Sequence, residues 1–410
     1  MHFHIITTAL GVLALFSSIA VEATDWTQWR GQDRDGRVSA SPSANWANEP
    51  RLVWKLEIGQ GHSSPVKHGD QVFTHSRKNN AEVVTCLSFK SGEIIWQKSY
   101  PAPYKMNSAA YAHGKGPKST PLVHGGRLYT LGISGILSCF DLRSGTLLWR
   151  QDTTGEFDQT SPLYGTAMSP IAAGELVIAH LGGEGDGALR AFDSATGKVI
   201  WNWNGDGPGY ASPVLVNLEG VQQLVTQSQE NIIGIALADG RELWRIPFST
   251  PWQQNVVTPV IHGELLVLSG LDNGIFAIRL SRSGDRWSTE EVWSRKDVSL
   301  YMSSPVLHGD LLFGLSHFKR GQLFCLDPRN GEVLWKSEGR RGEYAGLLVS
   351  EELLFVLNTD GEFMVIENSR EAFREISVHS VADSPTWAHP VIIGSQLLVK
   401  DFSSLALWSF

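Results

Sequence analysis

Three observations predict an all-β chain folded as an eight-bladed β-propeller. A phrase running from Ser/Thr-Pro to Trp recurs six times, two degenerate copies follow, and a segment near the amino terminus has the shape of the strand that the last copy lacks. The full copies run Ser64-Pro65 to Trp96, Thr120-Pro121 to Trp149, Ser169-Pro170 to Trp201, Ser212-Pro213 to Trp244, Thr258-Pro259 to Trp293 and Ser304-Pro305 to Trp335.

Within the copy at 304–335, Val306-Leu307 leads through His308-Gly309-Asp310 into Leu311–Leu315, a strand, a tight turn and a strand. Gln322–Leu326 reads as a third strand, Asp327–Gly331 as a turn, and Glu332–Trp335 as the start of a fourth, so each copy is one four-stranded antiparallel blade. His68, His124, His262 and His308 each precede a glycine at the first turn and are read as turn residues. Asp141, Asp193, Asp239 and Asp327 stand at the later turn, where a carboxylate caps its own backbone. Cys86, Cys139 and Cys325 share one repeat position, which suits a small buried filler rather than a disulfide framework. The seventh copy, Tyr344-Ala345-Gly346-Leu347 onward, lacks the Pro, and its closing Trp is expected to be replaced around Phe373. The eighth, from His389-Pro390 to Trp408, stops after three strands, and Arg51-Leu52-Val53-Trp54-Lys55 is expected to supply the fourth and close the ring.

The expected organisation is a signal peptide over 1–23, a leader over 24–50 packing on the propeller, and the propeller over 51–410. The apolar run from Ile5 to Val21, followed by Val21-Glu22-Ala23, suits cleavage near Ala23 and export to the periplasm or beyond the cell. No other run approaches membrane-spanning length, so no span is expected in the mature chain. A formal charge of −8 without a basic stripe argues against a nucleic-acid partner.

A blade reading Ala191-Phe192-Asp193 to Gly197 and Trp201 resembles the pyrroloquinoline-quinone (PQQ) type propeller repeat, and the resemblance covers roughly 51–410. The leader segment Trp26–Gly36, together with Gly114–Pro121 and Asn255–Pro259, resembles an exported bacterial subgroup of that family. The related quinoprotein alcohol dehydrogenases imply PQQ over the channel, calcium held by carboxylate and amide side chains, an Asp base and an adjacent Cys-Cys pair. Here no two cysteines are adjacent, and no Cys-x-x-Cys-His site occurs. The other relative, the outer-membrane assembly propeller, implies a non-enzymatic scaffold that is normally lipid-anchored; no Cys stands at the cleavage site for such an anchor.

Residues just before each innermost strand converge at one mouth of a propeller channel. Three positions before each Pro, or its equivalent, stand His62, Lys118, Ala167, Tyr210, Val256, Met302, Tyr344 and Trp387, with Asn255 and Tyr301 one step earlier. The insertion Tyr111–Gly116 is expected to lie over the mouth and bring His113. The candidate binding residues are therefore His62, His113, Lys118, Tyr210, Asn255, Tyr301, Tyr344 and Trp387. Either they recognise an envelope protein or a small polar ligand, or the aromatics plug the channel. Glu184 and Asp186 do not complete a calcium loop, and no Ser/His/Asp arrangement is present. The leader's Arg30, Asp33, Arg34 and Asp35 either face a partner or pin the segment internally. The leading expectation is a binding or assembly scaffold; the alternative is a PQQ- and calcium-dependent dehydrogenase of an alcohol or sugar.

Overall fold

A computed structural model describes residues 25–40 and 43–410. The expected signal peptide lies outside the described residues. Eight four-stranded antiparallel sheets are present. Blade 1 comprises Val66–His68, Gln71–Lys78, Ala81–Ser88 and Ile94–Pro101, numbered from the channel outward. The innermost strands of blades 2 to 8 are Leu122–His124, Ile171–Ala173, Val214–Leu218, Val260–His262, Val306–His308, Ala345–Val349 and Val391–Ile393. Blade 8 is completed by Arg51–Glu57, which pairs antiparallel with Ser404–Ser409 from Arg51 opposite Ser409 to Glu57 opposite Ser404. The ring is thus closed by the amino-terminal strand, and a sheet edge that would otherwise be open is covered.

The repeated residues act between blades. Five of the six closing Trp cross to the next blade: the indole N–H of Trp96 donates to Leu142 O, that of Trp149 to Ser194 O, that of Trp201 to Leu237 O, that of Trp293 to Pro328 O and that of Trp335 to Ser369 O, whereas Trp244 donates to Gln223 Oε1 within its own blade. The ring lies on the turn glycine of the same neighbour. A Cβ built on Gly197, whose φ is +73°, would stand 2.6 Å from Trp149. Trp54 of the closing strand repeats the pattern, donating to Phe89 O at 2.9 Å over Gly92. The repeated Ser/Thr hydroxyls latch the inner layer. Ser169 Oγ accepts from Thr120 N, Ser212 Oγ from Ser169 N, Ser304 Oγ from Thr258 N and Ser64 Oγ from His389 N, the last across the ring closure.

The residue opposite the Trp must be small. Across the outer ladder Cys86 faces Trp96, Cys139 faces Trp149, Ala191 faces Trp201, Gly234 faces Trp244, Ala277 faces Trp293 and Cys325 faces Trp335. All three cysteines are free and buried, and burial pushes each thiol up to about 12. Blade 7 departs from the expectation. The Trp position, opposite Val365, is Ser377, whereas Phe373 lies ahead of the outer strand and packs on Trp335 of blade 6. The indole comes instead from the leader: Trp46 is fully buried against Phe355, Phe363 and Phe410, and its carbonyl accepts from Ser377 Oγ.

Residues 25–40 cross the face of the ring opposite the channel mouth. Trp26 and Lys67 exchange backbone hydrogen bonds at 2.8–2.9 Å, Val123 N donates to Thr27 O, and Val38 N donates to Val349 O. Arg34, 4% exposed, forks into the channel, with Nε on Pro213 O at 3.0 Å, Nη1 on Pro170 O at 2.9 Å and Nη2 on Ser169 O at 3.1 Å. Arg30 reaches Pro305 O and Asp35 O, and the more exposed Arg37 reaches Leu307 O at 2.9 Å. The buried guanidiniums of Arg30 and Arg34 therefore bind carbonyls rather than the neighbouring carboxylates, while the exposed Arg37 also pairs with Asp35 at 3.5 Å. Burial presses the pKa of both Arg30 and Arg34 downward.

Candidate functional site

At the mouth, loops preceding the innermost strands form a cup of about 150 Å³. All eight positions three residues before the repeat Pro line it: His62, Lys118, Ala167, Tyr210, Val256, Met302, Tyr344 and Trp387. Trp29 stands at its floor, edge-on to His389 at 5.6 Å, with the Arg30 and Arg34 guanidiniums 5.3 and 5.8 Å from the indole centroid. An aromatic arc runs along one side. Tyr344 stacks on Trp387 at 5.3 Å, His113 meets Trp387 edge-on at 4.9 Å and Tyr164 at 6.3 Å, and Tyr164 meets Tyr210 at 6.0 Å. Val256, Met302 and Ala167 add an aliphatic portion to the lining, and the latch hydroxyls of Ser64, Thr120, Ser169, Ser212 and Ser304 add polar atoms.

Of the eight candidates read from the sequence, six line the cup: His62, His113, Lys118, Tyr210, Tyr344 and Trp387. Asn255 does not. It is fully buried, and its amide donates to Ser228 O, Gln229 O and Phe248 O while its carbonyl accepts from Tyr210 N and Ala211 N, so it ties blade 4 to the loop entering blade 5. Tyr301 stands behind the wall, its hydroxyl on Gln254 Oε1, and Gln254 is the residue that lines the cup. Trp29, Tyr164, Gln254 and His389 were missed. Three of them lie in non-repeating segments whose position no register gives, but His389 occupies the Ser/Thr latch position of blade 8 and was legible as a break in the repeat.

Lys118 Nζ donates to Tyr164 O at 2.5 Å. Burial brings its pKa down to about 8. His62 is held at about 3 by burial and then by the nearby charges of Lys118 and Lys400, and His113 at about 4 by burial and Lys118. His62 Nε2 hydrogen-bonds to His113 O at 2.9 Å, which places the proton on Nε2 of the neutral ring and leaves Nδ1 as a buried acceptor without a partner. Lys400, buried behind the wall, donates to Gly61 O and Asp401 O. Among the described residues no Asp or Glu lines the cup. At neutral pH its one lining charge is therefore the Lys118 ammonium.

The profile of the family described as "Outer membrane protein assembly factor BamB", of PQQ-like repeats, matches residues 80–337. The chain belongs to this family. It is 22% identical over 372 residues to the BamB of Shewanella oneidensis, with 86% of each chain covered. The crystal structure of BamB from Moraxella catarrhalis superposes with a TM-score of 0.62 at 15% identity, over 88% of this chain and 98% of that one. A europium-containing methanol dehydrogenase superposes with a TM-score of 0.67 at 14% identity, over 94% and 98%. At these identities the structural likenesses show a common fold and nothing further.

The dehydrogenase relatives pose a fit test for PQQ with calcium. The cup of about 150 Å³ is deep enough to seat one ring and opens at the mouth, so the test turns on its donor groups. Calcium takes six to eight oxygen ligands, carboxylates prominent among them. No carboxylate lines the cup, and among the described residues no group of three or more His, Cys, Asp or Glu could hold a metal ion. The residues of this cup do not fit that pair.

Proposed function

We propose that the chain is an exported, non-catalytic binding scaffold of the cell envelope that engages its partner through the channel mouth. The observation that carries the reading is the division of labour in the repeat. Residues that recur are spent between blades, whereas the positions that break the repeat turn into one cup whose lining offers recognition groups without a carboxylate base or a metal-donor set. Tyr111 and Trp252, 65% and 74% exposed, lie within two residues of the lining residues His113 and Gln254 and extend the surface to the rim. The run Ile5–Val21 with cleavage near Ala23 supports export, and 24–50 then works as part of the folded unit. The relatives named as outer membrane protein assembly factors support the envelope setting.

Capture from an envelope extract on the tagged chain, beside a Tyr210→Ala/Trp387→Ala variant of unchanged circular dichroism, tests the mouth. Loss of a specific partner from the variant is expected, and retention of every partner removes the mouth from the reading. Mixing the pure chain with PQQ and Ca²⁺ should give neither saturable binding nor dye-linked oxidation of alcohols or sugars; turnover would overturn the non-catalytic assignment.

A further inference from the structure

Resting on the reading of the mouth as the binding face, we propose that the cup itself binds a small organic monoanion, a carboxylate carried on a single ring, with the carboxylate on Lys118 and the ring against the aromatic arc. Three observations converge on that ligand. The first is charge. Lys118 projects into a largely apolar cup, spends one N–H on Tyr164 O, and has no carboxylate partner among the described residues. A half-buried cation without a counter-charge carries a desolvation cost, and an anion delivered to it forms a charge-assisted hydrogen bond. The second is shape: a space of about 150 Å³ matches one ring, and the arc from Tyr344 and Trp387 through His113 to Tyr164 offers it faces and edges. The third is the lack of competing charge. His62 and His113 are neutral at physiological pH, two buried guanidiniums lie beneath the floor indole of Trp29, and the carboxylate that acts on the wall at Tyr210, Glu184, stands outside the lining and accepts from Leu163 N and Gln229 Nε2.

The titratable groups sharing the cup with Lys118 are His62 and His113 at its side, Tyr164, Tyr210 and Tyr344 along the arc and His389 near the floor, with Lys400 behind His62. None of them is an acid that would neutralise the ammonium at neutral pH. An incoming carboxylate therefore raises the Lys118 pKa from about 8, and binding takes up a proton on the alkaline side of that value.

The experiment titrates the pure chain with sodium benzoate and, separately, with benzyl alcohol as the neutral analogue of the same ring, reading Trp fluorescence and calorimetric heat. Benzoate is expected to bind roughly tenfold to a hundredfold tighter than benzyl alcohol, and to weaken as pH rises from 7 to 9.5. In Lys118→Met that preference should vanish while benzyl alcohol still binds, which shows the cup intact. Equal affinity of the wild type for the two compounds, or undiminished benzoate binding by Lys118→Met, overturns the proposal; the wild-type ratio decides even if the variant does not fold. Failure here together with loss of partner capture in the Tyr210/Trp387 variant sinks the ligand and leaves the scaffold, whereas benzoate selectivity with undiminished capture does the reverse.

Discussion

Replacing Arg34 by Met should destabilise the whole ring, because this one side chain satisfies an axial channel that the blades cannot satisfy by themselves. Its guanidinium gives three hydrogen bonds at 2.9–3.1 Å to the carbonyls of Ser169, Pro170 and Pro213, and a fourth to Gln28 Oε1 at 3.1 Å. Methionine fills similar volume but strands three buried carbonyls, each costing about 1–3 kcal/mol. Relief of the buried, carboxylate-free charge returns part of that, so the net loss should be about 3–5 kcal/mol. For about 380 ordered residues the unfolding entropy is roughly 0.8 kcal/mol/K, which converts the loss to about 4–6 °C in Tm. Arg34→Lys, a point charge unable to fan over three acceptors, should fall between wild type and Met. Arg37→Ala, which removes one hydrogen bond to Leu307 O and an exposed ion pair with Asp35, should stay within about 1 °C. Thermal unfolding followed by circular dichroism at neutral pH reads all three. An Arg34→Met variant melting within about 1 °C of wild type would refute the claim that the leader holds the channel together.

Three other outcomes follow from the same contacts. Gly197→Ala meets both a φ of +73° and the Trp149 ring 2.6 Å from the new Cβ, and should cost about 2–4 kcal/mol; Gly174→Ala, at φ +59° with open space around it, should cost about 1 kcal/mol, the two read as urea midpoints. Burial holds His62 at about 3, His180 at about 4 and His389 well below the ordinary 6.5, so the unfolded chain binds protons that these rings refuse. Stability is then full above about pH 6.5 and falls as pH drops toward the folded values, by about 2 kcal/mol per ring at pH 5; with His113, held at about 4, as a fourth such ring, His180→Gln should recover about a quarter of the Tm lost between pH 7.5 and 5. Deleting Arg51–Glu57 uncovers the edge of Ser404–Ser409 and should leave an aggregating chain, which size-exclusion chromatography would show; a soluble, stable truncation would contradict the closure.

The blade count, the closing strand and the register positions that line the cup were legible because each is a property of the repeat. Trp149, Gly197 and Ser169 recur at fixed spacing since each makes the same contact with a neighbour. Asn255 misled because its amide, one step from the register position, turns back to bind three carbonyls, a direction that spacing does not encode. Trp46 was invisible as the replacement for the missing indole of blade 7, since it stands some 330 residues from its partner Ser377 and belongs to no copy. Trp29 escaped for the same reason.

These non-repeating residues answer a problem that the repeat creates. Eight innermost strands present eight unpaired edges to one axis, and the Pro of the Ser/Thr-Pro phrase removes an N–H there while leaving its carbonyl. Each carbonyl needs a donor, yet a donor supplied by the repeat itself would be copied eight times into a space with room for one or two side chains. A single segment from outside the repeat meets much of the need: Arg34 donates to carbonyls of blades 3 and 4, Arg30 to one of blade 6, and Trp26 N and Val38 N to carbonyls of blades 1 and 7, while blade 2 in turn donates Val123 N to Thr27 O. Having entered the channel to satisfy it, the same segment carries Trp29 to the axis and so turns a tube into a cup with a floor. The depth of the cup, and hence the size of what it can hold, is set by the leader rather than by any blade.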